Sequence, residues 1–477
     1  MIRVNELNDL GLPNDPRLMA PAMRLINSTL GRNRAGEAEH EAMREAIRTL
    51  AAAPETMCEH AVLGPLARLY MELFPAGTRF IPRATPAPWR QWAAGEPDVE
   101  AVRQMETACA LPAAVRGVIL PDAHLGYGLP IGGVLAVRNI VIPYAVGVDI
   151  ACRMRLSVLD MPVARLPEYR ESLVAALERE TRFGMGAEFA IEKRRSHAVM
   201  DEDWTISPVT RSGKDKAWKQ LGSSGGGNHF VEFGELHVDA PVQIGEVDLV
   251  PGVYLALLSH SGSRGTGESV ARHYNERAMS LRPALPKDLR RLAWLDMDSA
   301  DGREYWAAMQ LMGRYASACH ELIHRHIIKA IGAQALTHVE NHHNFAWEET
   351  HDGERVIVHR KGATPAHEGQ LGIVPGSMTT PGFVVRGKGC EASLCSCSHG
   401  AGRAMSRAAA FRQLRLKDME AFLRDNGVEL LSGSLDESPQ AYKDIHAVMA
   451  AQRDLVDILA EFRPRLVKMA PDEPRRS

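Results

Sequence analysis

Apolar residues recur at helical spacing through the start of the chain. AGEAEHEAMREAIRTLAAA is rich in Ala, Glu and Arg, and LGPLARLYMELF carries an apolar stripe. Residues 1 to about 75 are therefore predicted to be helical. The PRATPAP stretch, Pro82 to Pro88, then interrupts the pattern like a linker. Beyond it the period shortens. VRGVIL, GGVLAVRNIVIPYAV, RMRLSVL, GVYLALLSH, ERVIVHR and GFVVRG read as strands bounded by glycine-rich turns. Between them PEYRESLVAALERETRF and REYWAAMQLMGRYASACHELIHRHIIKAIGA read as helices. So do GRAMSRAAAFRQLRLKDMEAFLRDNG, with a stop at Asn426-Gly427, and AYKDIHAVMAAQRDLVDILAEF. Strands and helices do not alternate regularly, so neither a TIM barrel nor a Rossmann domain is indicated. The expectation is mixed α/β: a helical N-terminal extension over 1–78, one large domain over 79–470, and a disordered tail over 471–477.

Composition narrows this picture only at its edges. The 477 residues are 45% hydrophobic, enough for a sizeable core. Fifty-six basic against 59 acidic residues give a net charge of −3, so no global basic field announces a polyanion partner. Basic stretches such as EKRRSH and RSGKDKAWK would suit a local RNA contact, but read better as solvated loop charge. Seven cysteines, an odd number in a long chain, argue against a disulfide scaffold. The N-terminus shows no leader-like apolar region, and no run is long enough to span a membrane. A cytoplasmic protein is expected.

Most of the candidate chemistry sits in glycine-rich loops after β-like runs, where a rigid sheet can hold functional groups. PDAHLGYGLPIGG offers Asp122 and His124, GVDIAC offers Asp149 and Cys152, and LGSSGGGNHFVE offers Asn228, His229 and Glu232. SHSGSRGTG contributes His260 and Arg264, ENHHNFAWEE contributes His342, His343 and Asn344, and SCSHGAGR contributes His399 and Arg403. His, Cys and Asp together suit a transition metal, with zinc as natural a choice as any, and a thiolate can bridge two ions. Taken singly, each histidine reads as well as a turn or core hydrogen-bonder. His320, His324 and His326 fall in a strong helical pattern and are read as structural. Cys395 and Cys397 form a C-x-C without a second pair, which fails the zinc-knuckle spacing.

Phosphate is the second theme. Gly222 to His229 presents a run of backbone N–H groups suited to an anion nest. HGAGRAMSR reads as opening a helix whose first turn would favour an anion. Arg264 and Arg403 supply forked cations, and Lys361 another charge. GFVVRGKG imitates a P-loop but has Gly389 where Ser or Thr must hold Mg²⁺, so it is rejected.

PDAHLGYGLPIGGV, GVDIAC, LGSSGGGNHFVE, HSGSRG, HHN, HRKGAT, PGSM and SHGAGRAMSR follow one another in this order. In that ordered set the chain resembles the RtcB family of GTP-dependent RNA ligases, from about Arg79 to Lys468. The resemblance implies a single catalytic domain of sheets surrounded by helices. It implies joining of RNA 3′-phosphate or 2′,3′-cyclic phosphate ends to 5′-hydroxyl ends, in splicing or repair, with tRNA halves or broken RNA as partners. GTP and two Mn²⁺ ions are the implied cofactors, and a small activator protein an implied partner. His399 would be the guanylated nucleophile. Asp149, Cys152, His229, His260 and His343 would hold the metals, with Cys152 bridging. Asn228 would contact the GTP phosphates and Glu232 the guanine. His343, Asn344, Lys361, Ser377, Gly400, Ala401, Gly402 and Arg403 would complete the nucleotide pocket. Arg264 and Arg403 would steady phosphates, and Lys468 corresponds to the family's guanine-reading lysine.

The chain departs from the family pattern at named places. GVDIGCGM becomes GVDIACRM, so Ala151 and Arg153 replace glycines, and Arg153 is expected to add a bulky cation beside the site. Pro365 replaces an arginine after HRKGAT, and Thr379 a glycine after PGSM. These changes motivate an alternative, a guanylyltransferase that caps 3′-phosphate ends without sealing them. A metal-dependent phosphohydrolase that does not use His399, and a non-catalytic RNA-binding protein, are the competing classes.

Overall fold

The computed structural model describes residues 2–32, 35–75, 83, 85–96 and 98–471. The expected boundary at 78/79, part of the Pro82–Pro88 stretch and the tail beyond 471 lie outside these residues. The N-terminal helices Val4–Asp9, Pro16–Arg32, Glu37–Ala52 and Gly64–Leu73 follow the predicted periodicity. Leu18, Ala22, Ile26 and Leu30 make one buried stripe and Met43, Ile47 and Leu50 another. Their core draws on residues 2–74, with Ala284 from the remainder of the chain.

Two sheets carry the rest, in the mixed α/β arrangement expected. One has the order Trp89–Gln91, Ala114–His124, Ile131–Val137, Glu354–Lys361, Asn344–His351. The larger runs Ala335–His342, Arg153–Leu159, Gly252–Ser261, Phe230–Val238, Val456–Met469, Gly382–Gly387, Leu371–Val374, and Glu429–Ser432 adds in parallel to Val456–Met469. The chain passes from the larger sheet to the smaller through His343, between Ala335–His342 and Asn344–His351. A 31-residue helix, Ala300–Ala330, is started by Ser299, whose hydroxyl accepts from Gly302 N–H. Its buried stripe of Tyr305, Met309, Met312, Ala316, Cys319 and Ile323 covers the sheet beside Gly252–Ser261.

Two expected helices are corrected. GRAMSRAAAFRQLRLKDMEAFLRDNG is not continuous: Arg407–Gln413 and Leu416–Asp425 are separated by extended backbone at Leu414 and Arg415. The first of these helices is capped by Ser406, so Gly400 to Arg403 precede it in a turn and the predicted helix-opening anion site there does not exist. AYKDIHAVMAAQRDLVDILAEF becomes the short helix Ile445–Ala450 followed by the 14-residue strand Val456–Met469. Ala460, Phe462, Pro464 and Leu466 are buried while Arg463 is exposed. That two-residue period, once paired to strands on both sides, overrides the local helical propensity.

Candidate active site

Sheet register gathers the first cluster. Met154 and Phe230 both pair with His260. Cys152 lies just before the first of those strands and His229 just before the second. The ends of three adjacent strands thus converge. Cys152 Sγ lies 3.0 Å from His260 Nε2 and 3.5 Å from His229 Nε2. His229 Nε2 also lies 2.9 Å from Asp149 Oδ2, and His260 Nε2 lies 3.3 Å from His343 Nε2. The five residues nominated from the loops therefore stand together. His343 faces the cluster, whereas His342 packs against Phe345 and Trp347. Gly262 permits the approach: a Cβ there would fall 2.1 Å from Asp149 Oδ1.

Burial sets the charge state of this cluster. It pushes His260 and His343 well below the ordinary imidazole range, so both stay neutral as metal ligands must. His260 Nδ1 is 3.1 Å from the Asn228 carbonyl, which fixes its proton there and turns the Nε2 lone pair toward Cys152 and His343. Burial and then Asp149 push the Cys152 thiol well up. Burial also raises the Asp149 carboxyl, but His229 and Arg264 outweigh it and hold the group far below the carboxylate range. A thiol, neutral imidazoles and a carboxylate at these separations fit a divalent cation, whose binding would expel the thiol proton.

Beside the cluster lies a cavity of 210 Å³. Asn228, Glu232, His260, His343, Ser377, His399, Gly400, Ala401, Gly402 and Arg403 all line it. Glu232 shares a sheet face with Phe230, and Leu258, Phe462 and Met469 complete an apolar floor around it. The residue is buried, and its carboxyl opens on the cavity with no hydrogen bond formed to it among the described residues. Burial alone drives it well above the ordinary carboxylate range. A partnerless buried carboxyl in a cavity is completed by a ligand that donates N–H groups.

His399 stands where cavity and cluster meet, its ring centroid 5.0 Å from that of His343. Asp122 holds it: Oδ2 lies 2.6 Å from His399 Nδ1 and accepts from the His399 backbone N–H at 3.0 Å. Burial raises the Asp122 carboxyl, and the His399 bond and charge more than offset this, leaving it below its ordinary value. An ionised Asp122 keeps the imidazole proton on Nδ1 and leaves Nε2 as a free lone pair. The turn 400–402 reaches this point through Gly402, at φ +72, where a Cβ would fall 2.1 Å from the Asp122 carbonyl oxygen.

Other nominated residues are placed elsewhere. Asn344 spends its amide on backbone, donating to Asp149 O at 3.2 Å and accepting from Gly362 N–H at 2.8 Å, so it ties the Asp149 loop to the smaller sheet. The Lys361 ammonium bonds the Tyr127 carbonyl outside the cavity lining, and burial lowers it to about 7. Arg264 sits behind the cluster, 3.2 Å from His229 Nδ1. Lys468 stands outside the cavity lining. Its neighbour on the adjoining strand is Val231, on the face opposite Glu232 and Phe230. Its ammonium bonds Glu178 at 2.8 Å and the Leu177 carbonyl at 3.3 Å, at the end of helix Leu166–Glu180. Alternation along the strand gives the cavity to Met469 instead.

The departures from the family pattern also find their places. Ala151 has φ +56, the left-handed conformation that a glycine adopts freely. Arg153 is buried, and its guanidinium bonds Glu340 and His342 and none of the five clustered residues, so the expected cation beside the site is corrected. His320 and His324 are structural: both rings bond the Ser259 hydroxyl, at 2.7 and 2.8 Å, on the far side of the strand from His260. Sequence reading listed Asp122 without a role and missed Arg407, Glu437 and Tyr442 in the cavity wall. Asp122 lies in a glycine-flanked loop, but its bond to His399 is long-range, and Arg407, Glu437 and Tyr442 carry no comparable local signal.

Residues 104–469 match the family model described as tRNA-splicing ligase RtcB. The chain is 32% identical over 405 residues to the RNA-splicing ligase RtcB of Escherichia coli K12, covering 79% of this chain and 96% of that protein. It is 33% identical over 413 residues to the RNA-splicing ligase RtcB of Mycobacterium tuberculosis, covering 73% and 95%. It is 31% identical over 433 residues to the tRNA-splicing ligase RtcB of Nanoarchaeum equitans, covering 76% and 90%. Among the described residues no helix is long and apolar enough to cross a membrane. The match spans the larger sheet, the smaller sheet apart from its edge strand Trp89–Gln91, the clustered loops and the cavity, and the chain belongs to the RtcB family.

Proposed function

We propose that this chain is an RNA ligase that activates RNA 3′-phosphate ends with GTP and joins them to 5′-hydroxyl ends. Its relatives are named RNA-splicing and tRNA-splicing ligases. The observation that carries the reading is His399: a histidine oriented by a buried carboxylate, between a cluster of metal-type donors and a cavity with a partnerless carboxyl. A hydrolase that used the cluster alone would have no need of that arrangement.

His399 Nε2 attacks the α-phosphorus of GTP. A P–N bond forms as the bond to pyrophosphate breaks, and Asp122 balances the positive charge that develops on the ring. Glu232 accepts from the guanine N–H groups and the apolar floor takes the ring. Asn228 and the turn 400–403 hold the phosphates. The RNA 3′-phosphate oxygen then displaces His399 from the GMP, and the 5′-hydroxyl attacks the activated 3′-phosphorus and expels GMP. Asp149, Cys152, His229, His260 and His343 would hold two manganese ions, which neutralise phosphate charge and stabilise attacking and leaving oxygens together.

Labelling with α-³²P GTP, run with manganese, zinc and magnesium in turn, tests the first half. A covalent, acid-labile adduct is expected with manganese and is absent from His399→Ala at unchanged metal content. Addition of a 3′-phosphate/5′-hydroxyl RNA pair tests the second. A joined product is expected; a capped but unjoined strand would establish end-capping instead, and absence of any adduct on metal-loaded protein would favour phosphohydrolysis.

A further inference from the structure

A second set of donors lies on the segment that leads into His399. The smaller sheet's strand Asn344–His351 ends at His351. The turn Glu391–Ser393 crosses it, followed by Leu394 and Cys395, both with left-handed backbone at φ +52 and +45. Strand Ser396–Ser398 comes next, and then His399. His351 Nδ1 lies 2.8 Å from Glu391 Oε2, and Cys395 Sγ lies 3.9 Å from Glu391 Oε1. One donor atom from each of the three lies within 4.8 Å of the others.

We propose that His351, Glu391 and Cys395 form a separate site for a zinc-class divalent cation, which clamps the turn before His399 to the sheet. The support behind His351 is that of a histidine ligand. Its far nitrogen, Nε2, lies 2.8 Å from Glu349 Oε2, and Glu349 is in turn held by the buried Arg360 at 2.5 and 3.0 Å. A carboxylate that takes the far N–H fixes the tautomer whose near nitrogen faces the cation. His351 and Cys395 are buried, whereas the Glu391 side chain is 57% exposed, which leaves an entry path and a position for water. Thiolate, imidazole and carboxylate with one open position suit a tetrahedral zinc-class ion. Binding exchanges the Cys395 thiol proton, released to solvent, for a metal–sulfur bond. The C-x-C pair lacked a matching motif because its partner histidine lies 44 positions earlier, on another strand. Without a cation, His351 would bridge two carboxylates as a charged imidazole, an arrangement that makes no use of the sulfur.

Chelator-stripped, reduced Cys152→Ala protein is titrated with Zn²⁺ and, separately, with Co²⁺. The active-site cluster then holds no thiol, so a sulfur-to-cobalt charge-transfer band reports a thiolate outside it. The band and one equivalent of tight zinc are expected, and Cys395→Ser in the same background removes the band. In the otherwise unaltered chain, Glu391→Gln, at an exposed position that spares the fold, is expected to weaken one zinc equivalent by about tenfold or more. A Cys152→Ala chain of native circular dichroism without the band would overturn the proposal, as would a band that survives Cys395→Ser. If Cys152→Ala does not fold, Glu391→Gln decides alone: unchanged zinc affinity means that His351 is held only by ion pairs.

Discussion

Asp122→Asn tests how His399 would be made the nucleophile of the proposed reaction. The side chain keeps its shape and loses its charge. In the native arrangement Asp122 Oδ2 accepts both the Nδ1–H and the backbone N–H of His399, at 2.6 and 3.0 Å. As the P–N bond forms the ring becomes cationic, and a carboxylate about 4 Å from the charge centre stabilises it by about 4 kcal/mol at an effective dielectric of 20. A neutral amide loses most of this. Turned the other way, its NH₂ would donate to Nδ1 and place the ring proton on Nε2, which blocks the attack. A loss of about 3–5 kcal/mol in the transition state corresponds to about a 10²–10⁴-fold slower reaction. The assay is single-turnover adduct formation from α-³²P GTP at saturating nucleotide and metal. Metal content and the melting curve, measured alongside, separate this effect from unfolding. A rate within tenfold of the unaltered chain, with adduct still formed, would refute the claim that Asp122 sets tautomer and charge.

Glu340→Gln leaves the buried Arg153 and the half-buried Arg155 without their shared carboxylate, and a destabilisation of about 3–5 kcal/mol is expected in denaturant melts. Burial raises the Glu340 carboxyl, but Arg153, His320 and Arg155 hold it at about 2, below its ordinary 4.5. This stability is therefore present above pH 4.5 and lost as pH falls toward 2, a slope that the Gln variant should lack. Cys152→Ala should lower bound manganese, read by elemental analysis; full stoichiometry would contradict its place among the ligands. Lys468→Met should leave GTP affinity within about twofold, since its ammonium lies beyond the cavity wall, and a tenfold loss in a nucleotide-binding titration would show the opposite.

The loops that carry His229 and His260 were legible because glycine and metal-type donors coincide within short windows, and His343 because paired histidines stand beside Asn344. Their convergence was not, since it depends on the pairing of Met154 and Phe230 with His260. The Asp122–His399 bond joins residues 277 positions apart and has no local signature. The face on which Lys468 stands was not legible, because motif position records which residue, not which face of a strand, and a register shift between Pro464 and Leu466 precedes it. The final strand was read as a helix because Ala, Glu and Leu favour helices locally, whereas strands on both sides reward its two-residue alternation.

Arg153 shows why a substitution beside a site need not act on it. Strand alternation puts neighbouring side chains on opposite faces, so Cys152 joins His260 while Arg153 turns to Glu340 and His342. A lone buried guanidinium there would be prohibitive, and Glu340 satisfies two of them, with Ser317 accepted as a further partner at 2.7 Å. The substitution is thus one half of a compensated set that ties strand Ala335–His342 to strand Arg153–Leu159. That tie lies one residue from both Cys152 and His343. A cation-bearing residue that looks like a threat to the chemistry when read along the chain acts, across the sheet, as a brace for two of the donors.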